Sequence, residues 1–198
     1  MLKNSFIPAL KIFIASSIIC GVLYTGVVTL VGNVCFPHQA NGSIIEVDGV
    51  VYGSELLSQQ FNDDDHMWGR AENIDVDSCR DSNGNRVVYA QPVNMSPATD
   101  AYSQVVQDRI QMIRDHNPQM SREPIPVDLV TCSGSGLDPN ISLAAAKYQI
   151  PRIAQASGKS ETEIEEIVEA CTVKPLFGLF GQPYVNVLEV NLMLEGIL

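Results

Sequence analysis

The chain has 198 residues, 45% of them hydrophobic, with 12 Lys and Arg against 23 Asp and Glu and a net charge of −11 at pH 7. Such acidity excludes a surface built for nucleic acid or for anionic lipid headgroups. The five cysteines (Cys20, Cys35, Cys79, Cys132, Cys171) show no C-x-x-C and no metal spacing, and their odd number argues against a designed disulfide framework, although one pair among the last three could bridge.

The charges are unevenly placed. Every acidic residue and all but two basic ones lie after position 45, so that part carries −13. Before it, Ile12 to Val31 reads IFIASSIICGVLYTGVVTLV, without a charge. Twenty helical residues span about 30 Å, the thickness of a bilayer's hydrocarbon core. The hydroxyls of Ser16, Ser17, Thr25 and Thr29 can bond back to the helix's own carbonyls, and no polar face remains. The composition predicts a transmembrane helix over 12–34, and Ser16, Ser17, Gly21 and Gly26 are small enough to admit a neighbouring helix.

Lys3, Lys11 and the α-amino group precede the span, and the next basic residue is Arg70. This asymmetry predicts a cytoplasmic N-terminus (1–11), one pass of the plasma (inner) membrane, and a periplasmic or extracellular domain over 36–198. A cleaved signal would have a shorter apolar core and a small-x-small site, whereas His38-Gln39-Ala40 begins with a bulky residue. Cys20 and Cys35 follow Ile19 and Val34, not the small residue that lipid attachment requires.

In chain order, Pro37 is expected to end the helix. Asp48-Gly49 between two β-rich runs predicts a hairpin with a type I′ turn. Asn41-Gly42-Ser43 matches a glycosylation sequon, a common accidental match. Ser54 to Phe61 reads as one or two helical turns. Asp63-Asp64-Asp65-His66 lacks the ligand spacing and closing Glu of a calcium loop and reads as a solvated acidic loop; no metal is expected. In Trp68-Gly69-Arg70 the Arg is suited to pairing or stacking.

Residues 72–100 are polar, with a strand expected over Arg86–Ala90. Pro97 is expected to open a helix whose apolar stripe (Ala98, Ala101, Tyr102, Val105, Val106, Ile110, Ile113) forms a core face, ended by Asn117-Pro118. Pro126 to Thr131 reads as a strand. CSGSGLDPNIS lacks both the G-x-x-x-x-G-K-[ST] and the G-x-G-x-x-G patterns, and no G-x-S-x-G elbow is present. Ser142 is read as the N-cap of a helix over Leu143–Gln149, with Pro151 kinking or restarting it and Gly158 ending it. Ser160-x-x-Glu163 is a capping box for a helix to about Cys171. A Gly- and Pro-rich connector (175–183) leads to a last helix from about Val187. Together these predict one α+β domain behind a transmembrane helix. No catalytic constellation emerges.

The order of motifs carries more. FPHQANGSII after the span, GSELLSQQF, the WGR turn, IPVDLVT, SGSGLDPNIS, AAAKYQIPRIA and GQPYVNVLEVNLML cover nearly the whole chain. In that order they resemble the KdpC family, the C subunit of the bacterial high-affinity potassium-transporting P-type ATPase. Two departures stand out: Ala71-Glu72-Asn73 follow the GR turn where the family usually has Pro-Ser-Ala, and polar residues 73–96 replace a Gly-rich stretch.

The resemblance implies a non-catalytic accessory subunit. Its partners would be a channel-like subunit that binds potassium and a P-type subunit that hydrolyses ATP, whose ATP affinity it raises as a catalytic chaperone. No cofactor would be bound directly, since ATP and potassium are handled by the complex; the chain lacks a D-K-T-G-T motif and a T-V-G-Y-G-type filter. The polar residues inside the matching motifs are the candidate contacts, partner-facing or structural: Gln39, Asn41, Arg70, Asp138, Asn140, Gln149, Arg152, Gln182 and Asn186. Two other readings are a membrane-tethered hydrolase, active as an isolated domain, and a single-span periplasmic binding or assembly protein unrelated to transport, stable alone after detergent extraction.

Overall fold

The computed structural model describes residues 2–72, 74–75, 79–87, 89–90 and 92–198, with the side chains of 2–4, 74, 75 and 89 left aside. The chain divides into two compact units, residues 1–44 and 45–198.

In the first unit the apolar run is one continuous helix made of α1 (Leu2–Ser16), a π-helical stretch (Ser17–Tyr24) and α2 (Thr25–Cys35). The helix begins ten residues earlier than the uncharged run and passes through Pro8, which forfeits one i→i−4 hydrogen bond without ending it. Within the 31-residue helix Ser5–Cys35 an 18-residue stretch has a mean hydropathy of 2.1 with none of it buried, so the helix is long and apolar enough to cross a membrane. Within the wider turns, Thr25 Oγ1 donates to Cys20 O five residues back, at 3.1 Å. Phe36 leaves helical geometry (φ −136°, ψ 53°), and Pro37 then starts a short helix α3 (Pro37–Ala40). Pro37 therefore both ends one helix and begins another, as the N1 position allows.

The second unit opens with the expected hairpin, β1 (Ile44–Val47) and β2 (Val50–Ser54), turning through Asp48 (φ 52°) and Gly49 (φ 79°). Positive φ at both positions is what a type I′ turn requires. Ser54–Phe61 makes a single turn, closed by Leu57 N–H on Ser54 O at 3.3 Å. Strands β3 (Ile74–Asp75) and β4 (Tyr89–Ala90) pair antiparallel, Ile74 opposite Ala90. Of the expected strand over 86–90, Val88 lies outside the described residues.

Helix α4 (Asp100–His116) is capped by Thr99, whose hydroxyl accepts from Tyr102 N–H at 3.4 Å, so Pro97 lies in the preceding turn. Its apolar stripe is a core face only at the C-terminal end: Ile113 is buried, while Val105 is 48% exposed. The stretch Pro126–Thr131 is not a strand. Val127–Val130 forms one helical turn, α5. Strand propensity loses there to capping: Thr131 Oγ1 donates to Val127 O at 2.9 Å and Arg109 Nε donates to Leu129 O at 2.9 Å.

The core sheet has the order β5-β7-β6: β5 (Asn140–Ser142) and β6 (Thr172–Val173) flank β7 (Tyr184–Asn186), all antiparallel, with Ile141 opposite Val185. Helix α6 (Leu143–Ser157) follows β5 directly, with Ser142 accepting from Ala145 N–H. It runs through Pro151 without restarting, because the buried Ile150, Arg152 and Ile153 anchor it on both sides. Gly158, in left-handed geometry (φ 74°), ends it. Helix α7 (Glu161–Ala170) is capped by Ser160, and α8 (Val187–Leu194) by Asn186. Ile141, Ala145, Ala146, Ile150, Ile153, Ile164, Val168, Val185 and Val190 interleave from these elements into one core, with Met67 and Trp68 inserted into it. Cys20, Cys35, Cys132 and Cys171 form no disulfide among the described residues.

Candidate functional site

Met67 and Trp68 belong to no helix or strand, yet both are buried. Their peptide groups need partners there, because an unpaired buried amide costs about as much as a lost hydrogen bond. Two side-chain amides supply them. Asn191 of α8 accepts from Met67 N–H at 2.7 Å and donates to Met67 O at 3.0 Å. Gln149 of α6 accepts from Trp68 N–H at 2.8 Å and donates to Trp68 O at 3.0 Å. Each amide thus imitates a neighbouring strand.

Arg152, one turn beyond Gln149, completes the clamp. Its Nη2 donates to His66 O and to Gln149 Oε1, both at 2.8 Å, and its guanidinium lies 3.8 Å over the Trp68 ring. Desolvation lowers its pKa to about 10, the nearby Asp64 opposing that, so it stays charged at neutral pH. Asp64 accepts from His116 at 2.7 Å, and His66 bridges Asp65 (2.7 Å) and Glu195 (2.8 Å). Burial disfavours the His66 imidazolium, but hydrogen bonds to Glu195 and Asp65 and their charges outweigh it and raise the pKa above 6.5. The acidic loop is therefore paired with imidazoles, not simply solvated.

Beyond the clamp the chain delivers Arg70 to a second place. Its Nη2 reaches Cys132 O at 3.3 Å and Thr131 Oγ1 at 3.4 Å, and its Nη1 lies 3.8 Å from Asp138. Arg70, Asp128, Asp138, Asn140, Ser142, Gln182 and Tyr184 line an open hollow of about 310 Å³. Desolvation opposes ionisation of Asp128, but hydrogen bonds from Ser142, whose backbone N–H donates at 2.7 Å, and the charge of Arg70 prevail, so its pKa is lowered. Arg70 Nε and Asn140 Oδ1 are buried with no hydrogen-bond partner among the described residues. The hollow offers fixed donors and acceptors of both charges, without a paired nucleophile and base. Among the described residues no group of three His, Cys, Asp or Glu is placed to hold a metal.

Of the nine candidate contacts, four meet here: Arg70, Asp138, Asn140 and Gln182. Gln149 and Arg152 are instead buried in the clamp. Asn186 is buried too, donating to Glu55 O at 2.8 Å while capping α8. Gln39 and Asn41 lie in the first unit, where Asn41 Nδ2 donates to Pro37 O at 2.7 Å. Sequence reasoning missed Asn191, Asp128 and Arg109. Asn191 carried a signal: apart from Glu189 in the first turn it is the one polar residue in the helix VLEVNLML.

A family model described as KdpC, K+-transporting ATPase c chain, matches residues 6–196. The chain belongs to the KdpC family. Relatives named potassium-transporting ATPase KdpC subunit include one from Clostridium botulinum (strain Alaska E43), 52% identical over 196 residues, 99% of this chain and 98% of that protein. Another, from Clostridium perfringens (strain ATCC 13124), is 52% identical over 182 residues, 92% of each chain. The KdpC relative from Methylococcus capsulatus is 41% identical over 194 residues, 98% of each. The matched spans take in both the apolar helix and the domain that follows it.

Proposed function

We propose that this chain is the accessory, non-catalytic subunit of an ATP-driven potassium uptake complex, holding a channel-like potassium-binding subunit and a P-type ATPase subunit together. The observation that carries this reading is the end-to-end match to the KdpC family, whose members are named as subunits of a potassium-transporting ATPase. The N-terminal helix is its membrane anchor, with the N-terminus cytoplasmic and the domain outside; the basic residues before the span and their absence until Arg70 support that orientation. Gly21 and Gly26 support helix packing in the membrane, since nothing in the chain lies within 4 Å of a Cβ built at either.

The hollow around Arg70 is the contact point for a partner subunit. Its side chains of both charges, Arg70 beside Asp128 and Asp138, with Gln182 and Tyr184 exposed at the rim, favour an incoming polar surface of complementary charge. No chemistry and no directly bound cofactor are assigned to this chain. A domain outside the membrane cannot touch cytoplasmic ATP, so any rise in ATP affinity passes through the helix and the channel-like subunit. The charge of −13 beyond residue 45 would concentrate cations near a potassium entrance, an effect that fades with salt. Asp64 and Asp65 are held by histidines. The steering is therefore better tested through exposed carboxylates away from the clamp.

The test is co-purification. Full-length wild-type chain is expected to bring down both large subunits from detergent-solubilised membranes. Gln182→Glu, an exposed change on the hollow's rim, is expected to weaken that capture without unfolding the domain. Recovery of the wild-type chain alone would favour a stand-alone binding or assembly protein and overturn the reading.

A further inference from the structure

The connector between β6 and β7 ends in a tip whose sequence, Pro175 to Gly181, is PLFGLFG. It contains no side chain able to hydrogen bond. Its backbone is nonetheless fixed: Leu176 and Phe180 exchange both backbone hydrogen bonds at 3.0 Å, and Gly178 N–H donates to Pro175 O at 2.9 Å. The turn so formed points its apolar side chains at solvent, with Phe177 83%, Leu179 80%, Phe180 67% and Leu176 63% exposed. Phe177 sits at φ 54°, a left-handed conformation unfavourable for a bulky residue. A Gly or Asn would form that turn more easily, so the aromatic side chain has a use beyond the turn.

We infer that this tip inserts into the interfacial layer of the bilayer, as a second membrane contact beside the N-terminal helix. Three observations choose lipid over a protein partner. First, between Glu169 and Glu189 the only charge is Lys174, in a region that otherwise carries a strong negative charge. The acidic surface is repelled by anionic headgroups and this stretch is not. Second, the exposed apolar side chains of Leu176, Phe177, Leu179 and Phe180 are contiguous, with no polar side chain between Pro175 and Gly181. Aromatic and aliphatic side chains with one flanking Lys are the composition of interfacial membrane contacts. Third, only residues 36–43 separate the end of α2 from the start of β1, a connector that spans about 30 Å at most.

The inference needs the helix to be anchored, but not the transport reading, and it survives if no partner co-purifies. The test uses the full-length chain in lipid nanodiscs, isolated by gel filtration, with Phe177→Trp or, independently, Leu179→Trp. Trp68, the only native indole, is buried and serves as a constant background measured on the wild-type chain. Phosphatidylcholine brominated high on its acyl chains is expected to quench the added emission about twofold or more, with a blue shift, as for a residue 5–10 Å into the boundary. Unquenched emission overturns the inference. This holds whether the spectrum is water-like or becomes blue-shifted only when the large subunits are added, the latter outcome marking a protein contact instead.

Discussion

Gln149 and Trp68, 81 positions apart, are joined by a complete amide–peptide pair: the side-chain oxygen takes the backbone N–H and the side-chain nitrogen gives to the backbone carbonyl. The pair converts an irregular, buried segment into the equivalent of a paired strand. Gln149→Leu keeps most of the volume but leaves both Trp68 peptide groups buried and unpaired. The expected loss is about 2–4 kcal/mol in denaturant unfolding of the full-length chain in detergent. Asn191→Leu should cost a similar amount at Met67.

Arg152 acts by shape as well as charge. Arg152→Lys keeps the charge but loses the planar stack on Trp68 and the fork that reaches both His66 O and Gln149. Arg152→Met removes the buried charge and leaves those acceptors unserved, at a cost of about 3 kcal/mol. Unfolding curves should rank wild type above Lys and Lys above Met. The buried Trp68 indole should red-shift in both variants as the stack loosens.

His66 makes the clamp sensitive to pH. Its pKa is raised in the folded chain, so its contribution is complete below the unfolded value near 6.5 and lost as pH rises through the folded value. The apparent Tm of the full-length chain should therefore contain a component that declines above pH 6.5. His66→Gln should remove that component, and wild type and variant should converge at high pH.

Cys171 should be inert. Desolvation, with Glu189 nearby, pushes its pKa up to about 12, and its Sγ lies 3.3 Å from Met193 Sδ. At neutral pH a thiolate-directed alkylating reagent should leave Cys171 unmodified in the folded chain and label it on denaturation, read by peptide mass spectrometry.

Much of the fold was legible because its signals are local. Asp48-Gly49 demands positive φ, Ser142 and Ser160 cap the helices that follow them, and Gly158 supplies the left-handed stop. The sequence misled at Pro126–Thr131. There β-branched residues suggested a strand, and a helical turn won through capping contacts from Thr131 and the distant Arg109. The clamp was illegible for the same reason: Gln149 and Asn191 are ordinary helical positions until tertiary packing brings residues 67 and 68 against them. The gathering of Arg70, Asp138, Asn140 and Gln182 in one hollow likewise depends on three separate segments meeting, which no local pattern encodes.

The most direct measurement is potassium-stimulated ATP hydrolysis by the purified assembly, with and without this chain, beside the chain alone. The expectation is that the chain alone hydrolyses nothing and that omitting it weakens the assembly's apparent ATP affinity. Hydrolysis by the isolated chain, or an assembly indifferent to its removal, would contradict an accessory role in potassium uptake.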